Sequence, residues 1–380
     1  MKQIITVDRR KVKRRKATDR RATIDRRKNP VTLSPPFTVQ LAAPPSPNRT
    51  GIIHRVDYST FTSDQTQAQL RTWPVDGAAR IDGVGLKNLG ESQYQNDEPA
   101  LVYNLEHLAI TSQNAILPGV RSARVTIYPK AFRTSAGDPV LYDIAGFQSL
   151  DKPRSDLNMF GVARDLGLAF RQMNWTGQAI FMPGNYQEET ENGWREILYQ
   201  NHSDPEADRN FSLDILGKSG GGSQWAVHIN KQAYTAPSAA AGAVDLDVPG
   251  TPFVFDVVPA HLGKWHCFVY QHRFENRTPA QGATVAPVFR CWYTRWNHLT
   301  QTVEEHRLVG EYLQPYGMDA GHFNGWAPAL NDYKGSFHGA TNGPYTGGKT
   351  QPIVYQHALY HLGDASSDYS SVHPLRLAQP

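Results

Sequence analysis

The chain alternates apolar and polar residues over short runs. In "SARVTIYP" (Ser122 to Pro129), Ala123, Val125 and Ile127 fall on one face and Arg124, Thr126 and Tyr128 on the other. That is the period of a half-buried strand. The runs "GQAIFMP", "WREILYQNH", "FSLDIL", "QWAVHIN" and "FVFDVV" read the same way, divided by Gly, Asn, Asp and Pro. "KWHCFVYQHRF" and "APVFRCWYTRW" form a long hairpin around "ENRTPAQGAT", in a register expected to place Cys267 opposite Cys291. Helical spacing is rare, and "DEPALVYNLEHLAI" (Asp97 to Ile110) is its best instance. Many short antiparallel strands without a βαβ rhythm predict an all-β fold: an antiparallel β-sandwich or jelly roll, concanavalin-like.

Composition agrees. Aromatic residues make up 11% of the 380, and 31 Gly with 26 Pro supply turns. Charge adds a feature that the pattern does not show. Residues 1–30 hold 13 Lys and Arg against 3 Asp, whereas the other 350 hold 26 against 32. A basic arm (1–29) therefore leads through a Pro-rich linker (30–50) to a mildly acidic body (51–380). The arm has no aromatic residue for base stacking, so its expected grip is electrostatic, on a polyanion or on a protein assembly.

Several classes fall away. "SLDILGKSGGG" has Ser212 where a phosphate loop needs its first Gly, and it leads into a strand rather than a helix. No Gly-x-Ser-x-Gly elbow occurs. The 14 His residues show no compact ligand spacing, so no metal or other cofactor is expected. Two Cys imply no disulfide framework. No apolar run is long enough to cross a membrane. The N-terminus is charged but has no apolar core, so no signal peptide is read, and synthesis in the cytoplasm is expected.

"REILYQNHSD" (Arg195 to Asp204) carries the sharpest chemical signal. Gln200 and His202 stand two apart on a strand and so share a face. Arg164 and Arg171 precede it, and "QPIVYQHALYHLGDASSDY" follows, with Tyr355, His357 and Tyr360. This order resembles the jelly-roll polysaccharide lyases, relatives of alginate, glucuronan and heparin lyases. These have an arginine strand, a Gln-x-His strand and a late strand ending in Gly-x-Tyr. "GKWHCFVYQHRF" also resembles their Gly-x-Trp strand, and the resemblance spans roughly residues 120–365. It departs at two motifs. Gln356 and Ala358 stand where the late motif has Lys and Gly, and Arg171 lacks the usual Arg-x-Glu.

The resemblance implies β-elimination on an acidic polysaccharide. Gln200 with Arg171 or Arg164 would bind the uronate carboxylate and stabilise the enediolate. His202 or Tyr360 would take the C5 proton, and Tyr360 would protonate the leaving oxygen. Trp292, Arg295, Trp296 and Tyr355 are the candidate sugar-binding residues, with core packing as the competing role of the aromatics. Three readings follow: an active lyase, an inert glycan binder, and a structural or decoration protein using the same fold. The arm and linker suggest display on a larger particle such as a virion. Exposed sheet edges are compatible with a homo-oligomer.

Overall fold

A computed structural model describes residues 51–56, 58, 61–66, 69, 108–127, 154–158, 166–186, 195–204, 209–217, 223–232, 245–247, 253–259, 261–317, 325–334 and 353–380. The strands in chain order are β1 (Ile52–Val56), β2 (Leu108–Thr111), β3 (Ser122–Ile127), β4 (Arg154–Asn158), β5 (Asn174–Met182), β6 (Arg195–Asp204), β7 (Arg209–Gly217) and β8 (Ser223–Gln232). They continue with β9 (Asp245–Asp247), β10 (Phe253–Pro259), β11 (Lys264–Arg273), β12 (Val288–Asn297), β13 (Thr302–Tyr312), β14 (Gly325–Lys334) and β15 (Ile353–Gly363). A one-turn helix, α1 (Tyr369–Val372), follows.

The strands form two antiparallel sheets. The first runs β13-β12-β11-β5-β15-β3-β2, with β1 also on β15, and the second runs β10-β8-β7-β6-β14-β4, with β9 on β8. The fold is an all-β antiparallel sandwich of the jelly-roll kind, and the short alternating runs fall on its strands. "REILYQNHSD" is β6 from end to end. Among the described residues, no helix is long and apolar enough to cross a membrane.

Aromatic rings fill the space between the sheets. Tyr199 and Phe211 of the second sheet meet Tyr270 and Phe289 of the first, with Phe211 edge-on to Phe289 at 4.9 Å. Trp225 packs edge-on to Phe268 at 5.0 Å. Each such ring contributes roughly 1.5–3 kcal/mol through burial. Edge-on pairing adds about 0.5–1.5 kcal/mol. His266 is paired at both ring nitrogens within this layer. His266 accepts from Trp225 Nε1 at 3.1 Å and Tyr293 Oη at 2.9 Å, and its Nε2 donates to the His261 carbonyl at 2.8 Å. Burial pushes its pKa down to about 3, so the ring is neutral at ordinary pH. His266 and His272 are thus core residues, and His261 reaches His266 through its carbonyl.

The first sheet is also covered on its outer face. There Trp175, Val269 and Trp292 meet Tyr369 and Val372 of the C-terminal segment. Trp265 and Trp296 lie against Ile116 and Leu375. All nine residues of β5 are consequently buried. Gly177 is required here: a Cβ on it would lie 2.0 Å from the Val372 carbonyl oxygen. Asp368 caps α1 by accepting from Ser371 N at 2.7 Å.

Two local expectations are corrected. In the β11–β12 hairpin Cys267 pairs with Thr294, and Cys291 with Tyr270. The two thiols therefore face opposite sides of the sheet, each a buried apolar group. Leu108–Thr111, the end of the stretch expected to be helical, is strand β2, hydrogen-bonded to β3. Pairing with a neighbour outweighs local spacing there. The rest of that stretch, and the arm and linker, lie outside the described residues.

The tight β5–α1 contact predicts that Gly177→Ala costs about 1–3 kcal/mol of stability through overpacking. Thermal denaturation should show the loss, and amide exchange should rise selectively over Tyr369–Leu375.

Candidate functional site

On β6 the side chains divide between two environments. Tyr199 points into the core and stacks on Tyr270. Asn201 is fully buried and accepts from Asn210 Nδ2 at 3.0 Å. Gln200 and His202, of the opposite parity, share the outer face of the second sheet. They touch: His202 Nε2 hydrogen-bonds to Gln200 Oε1. The expected common face of Gln200 and His202 is therefore found, together with a contact that fixes the imidazole.

The same face continues across the neighbouring strands. Gln200 pairs with Ser212 of β7, which pairs with His228 of β8. Two residues along β7, Asp214 is fully buried and holds His228 Nε2 at 3.0 Å from its Oδ2. On the other side of β6, Ala329 of β14 pairs with both Gln200 and Asn158. Arg154 of β4 pairs with Tyr333 of β14. Arg154 and Tyr333 thus stand four residues along β4 and β14 from the Asn158–Ala329–Gln200 row. Sequence reasoning passed over both. The available signal was Arg154-x-Asp156 in "RSDLN", the Arg-x-acid spacing sought in vain at Arg171.

The other expected site residues do not gather there. Tyr360 lies on β15 in the first sheet, buried between the sheets near Tyr199, and burial raises its pKa well above the usual phenol value. It is a core ring and does not join His202. Tyr355 is likewise core, against Tyr186. Trp292 stacks on Trp175 at 5.8 Å beneath the C-terminal segment. Trp296 is fully buried and donates from Nε1 to the Ile116 carbonyl at 2.8 Å. Arg295 joins an ion-pair network at the β12–β13 edge, with Glu304 at 2.9 Å and Glu305 at 2.8 Å. Arg164 lies outside the described residues. These placements share one cause. The first sheet is covered on both faces, so its aromatic residues are spent on packing.

Arg171 has a different occupation. It precedes β5 with a left-handed φ of 68°. Its Nε donates to Glu275 Oε2 at 3.1 Å, while Arg277 donates to both Glu275 oxygens at 2.7 Å. Burial would raise the Glu275 pKa, but the Arg277 hydrogen bonds and the two guanidinium charges bring it below the usual carboxylate value. Among the described residues no group of three or more His, Cys, Asp or Glu side chains is placed to hold a metal ion.

Fold and face together define a jelly-roll sandwich with a polar outer sheet surface organised around a Gln–His pair. No family model matches the chain, and no curated protein matches it. Among solved structures it is similar to alginate lyase Aly36B bound to an alginate tetrasaccharide, at 7% identity and TM-score 0.39, over 83% of this chain and 98% of that one. It is similar also to the PL-14 alginate lyase of Aplysia kurodai, at 9% identity and TM-score 0.37, over 79% and 98%. Alginate lyase A1-II′ of polysaccharide lyase family 7 aligns at 12% identity and TM-score 0.33, over 70% and 87%. The resemblance to lyases is diffuse throughout.

Glu275 sets a pH dependence. Its folded pKa is depressed, so its contribution to stability is present above the unfolded value of 4.5 and lost as pH falls through the folded value. Glu275→Gln should cost about 2 kcal/mol at pH 7, the scale of a charged hydrogen bond. The gap from wild type should narrow below pH 4.5 in urea titrations.

Proposed function

We propose that the outer face of the second sheet binds an acidic polysaccharide and cleaves it by β-elimination. The observation that carries this reading is the Gln200–His202 pair, hydrogen-bonded and turned away from the core. The C5 proton of a uronate is a weak acid while the neighbouring carboxylate is charged. A donor from Gln200 would bind that carboxylate and hold the charge that develops on it. The His202 imidazole would take the C5 proton. The electron pair left behind forms the C4–C5 double bond as the C4–O bond breaks. His202, now protonated, would return that proton to the departing oxygen. The atoms balance without a cofactor.

A second reading keeps the fold without the chemistry: a structural or decoration protein. It is favoured by the use of Trp292, Trp296, Tyr355 and Tyr360 in packing. In either case residues 1–29, with their dense positive charge, would anchor the body to a larger assembly such as a virion.

The test is the rise in ultraviolet absorbance from unsaturated uronates, on alginate, glucuronan and heparin-type polymers across pH. Wild type should produce it on at least one polymer. His202→Ala and Gln200→Ala should each lower the rate by about 100-fold or more, the usual cost of a lost base or oxyanion donor. Tyr360→Phe should retain activity within about threefold of wild type. Flat traces for wild type would remove the catalytic reading. A dead Tyr360→Phe that still folds would return the proton donor to β15.

A further inference from the structure

The outer face of the first sheet is not covered everywhere. One row of paired residues crosses five strands: Arg124 on β3, Gln356 on β15, Phe181 on β5, Trp265 on β11 and Trp296 on β12. At the aromatic end the row is roofed by the loop after β2. Trp265 Nε1 donates to the Asn114 carbonyl at 2.8 Å, and Trp296 Nε1 donates to the Ile116 carbonyl at 2.8 Å. Asn114 meets this geometry with a left-handed φ of 55°. At the polar end the roof stops, and a cavity of about 450 Å³ opens over Arg124, Gln356 and Phe181. That volume falls within the range of small-molecule sites, about 300–1,000 Å³.

The lining has a consistent chemistry. Four carboxamides reach it, from Gln113, Asn114, Asn185 and Gln356, and Arg124 supplies a guanidinium. No Asp or Glu is among the lining residues. Carboxamides donate and accept side by side, which suits neighbouring hydroxyls. A guanidinium suits a carboxylate. Gln356 is held in place by Ser122, whose hydroxyl donates to its Oε1 at 2.8 Å in a buried contact. The two indole anchors hold the backbone that carries Gln113 and Asn114. The floor is thus pre-ordered, and the Asn185 turn forms an exposed wall.

We propose that this cavity is a second glycan site, separate from the Gln200–His202 face, which takes one uronate residue of an acidic polysaccharide: carboxylate to Arg124, hydroxyls to the carboxamides. The polymer class rests on the function proposed above, but binding here requires no elimination. The two sites lie on outer faces of different sheets, so a long chain could be held at one while its other segments reach the other. Effective concentration at the second site would rise accordingly.

The test uses the full chain carrying His202→Ala, which separates binding from cleavage. An alginate trisaccharide is titrated by calorimetry, and amide exchange is followed with and without it. Binding should protect the 113–114 and 298–299 backbone. Adding Arg124→Gln, or separately Asn185→Ala, should weaken that binding at least tenfold. Asn185→Ala sits on an exposed turn and should leave the melting temperature unchanged, so a folding defect in the Arg124 variant would not mask the result. Equal binding of a neutral trisaccharide would overturn the carboxylate assignment. Unchanged exchange at both segments, or full affinity in both variants, would overturn the site. Elimination assays that fail while this protection persists would defeat only the catalytic reading. Intact cleavage without the protection would defeat only the cavity.

Discussion

The double burial of the first sheet governs the rest of the molecule. β5 has no exposed residue, because the second sheet covers one face and the C-terminal segment with the loop after β2 covers the other. A sheet closed on both faces can use large rings freely, and this one does. A polar group placed in it must find a partner within the protein, as His266 and Thr294 do. The hydrogen-bonded Gln200–His202 pair lies instead on the second sheet, on the face turned away from Tyr199. The cavity beside Arg124 is a place where the outer cover of the first sheet leaves off.

Charge is distributed by the same logic. The edge strand β13 carries its ionic groups where they are half exposed, and Arg295, Arg307 and Lys264 meet Glu304 and Glu305 there. Such pairs contribute modestly to stability, but they make the edge unattractive for pairing with another chain. Glu275 is different, since its side chain is fully buried and serves two guanidinium groups. Removing it leaves two cations without their anion. The residue that looked like a substrate-binding arginine is thus part of a structural clamp.

The likeness to alginate lyases and the geometry of the Gln–His pair are separate matters. The former concerns how strands are arranged, and it is diffuse. The latter is local: two side chains on one strand, joined by a hydrogen bond on the face opposite Tyr199. A shared arrangement hosts many functions, so the proposed chemistry has to be judged on the side chains.

Alternation with a period of two made the strands readable, and the run "WREILYQNH" fell on β6 within two residues at either end, because side-chain direction along a strand depends on the chain alone. The common face of Gln200 and His202 followed from the same fact. Sequence could not reveal which sheet each strand joins. Tyr360 and Gln200 were expected together, yet β15 and β6 belong to different sheets. The hairpin register escaped by three residues, since a long loop leaves register to be set by packing. The fate of the tryptophans was equally undecided, because an indole on a strand is the same residue whether it faces a sugar or a C-terminal segment. Only the tertiary fold, by assigning each strand to a sheet and each segment to a face, decided which polar and aromatic groups stand together.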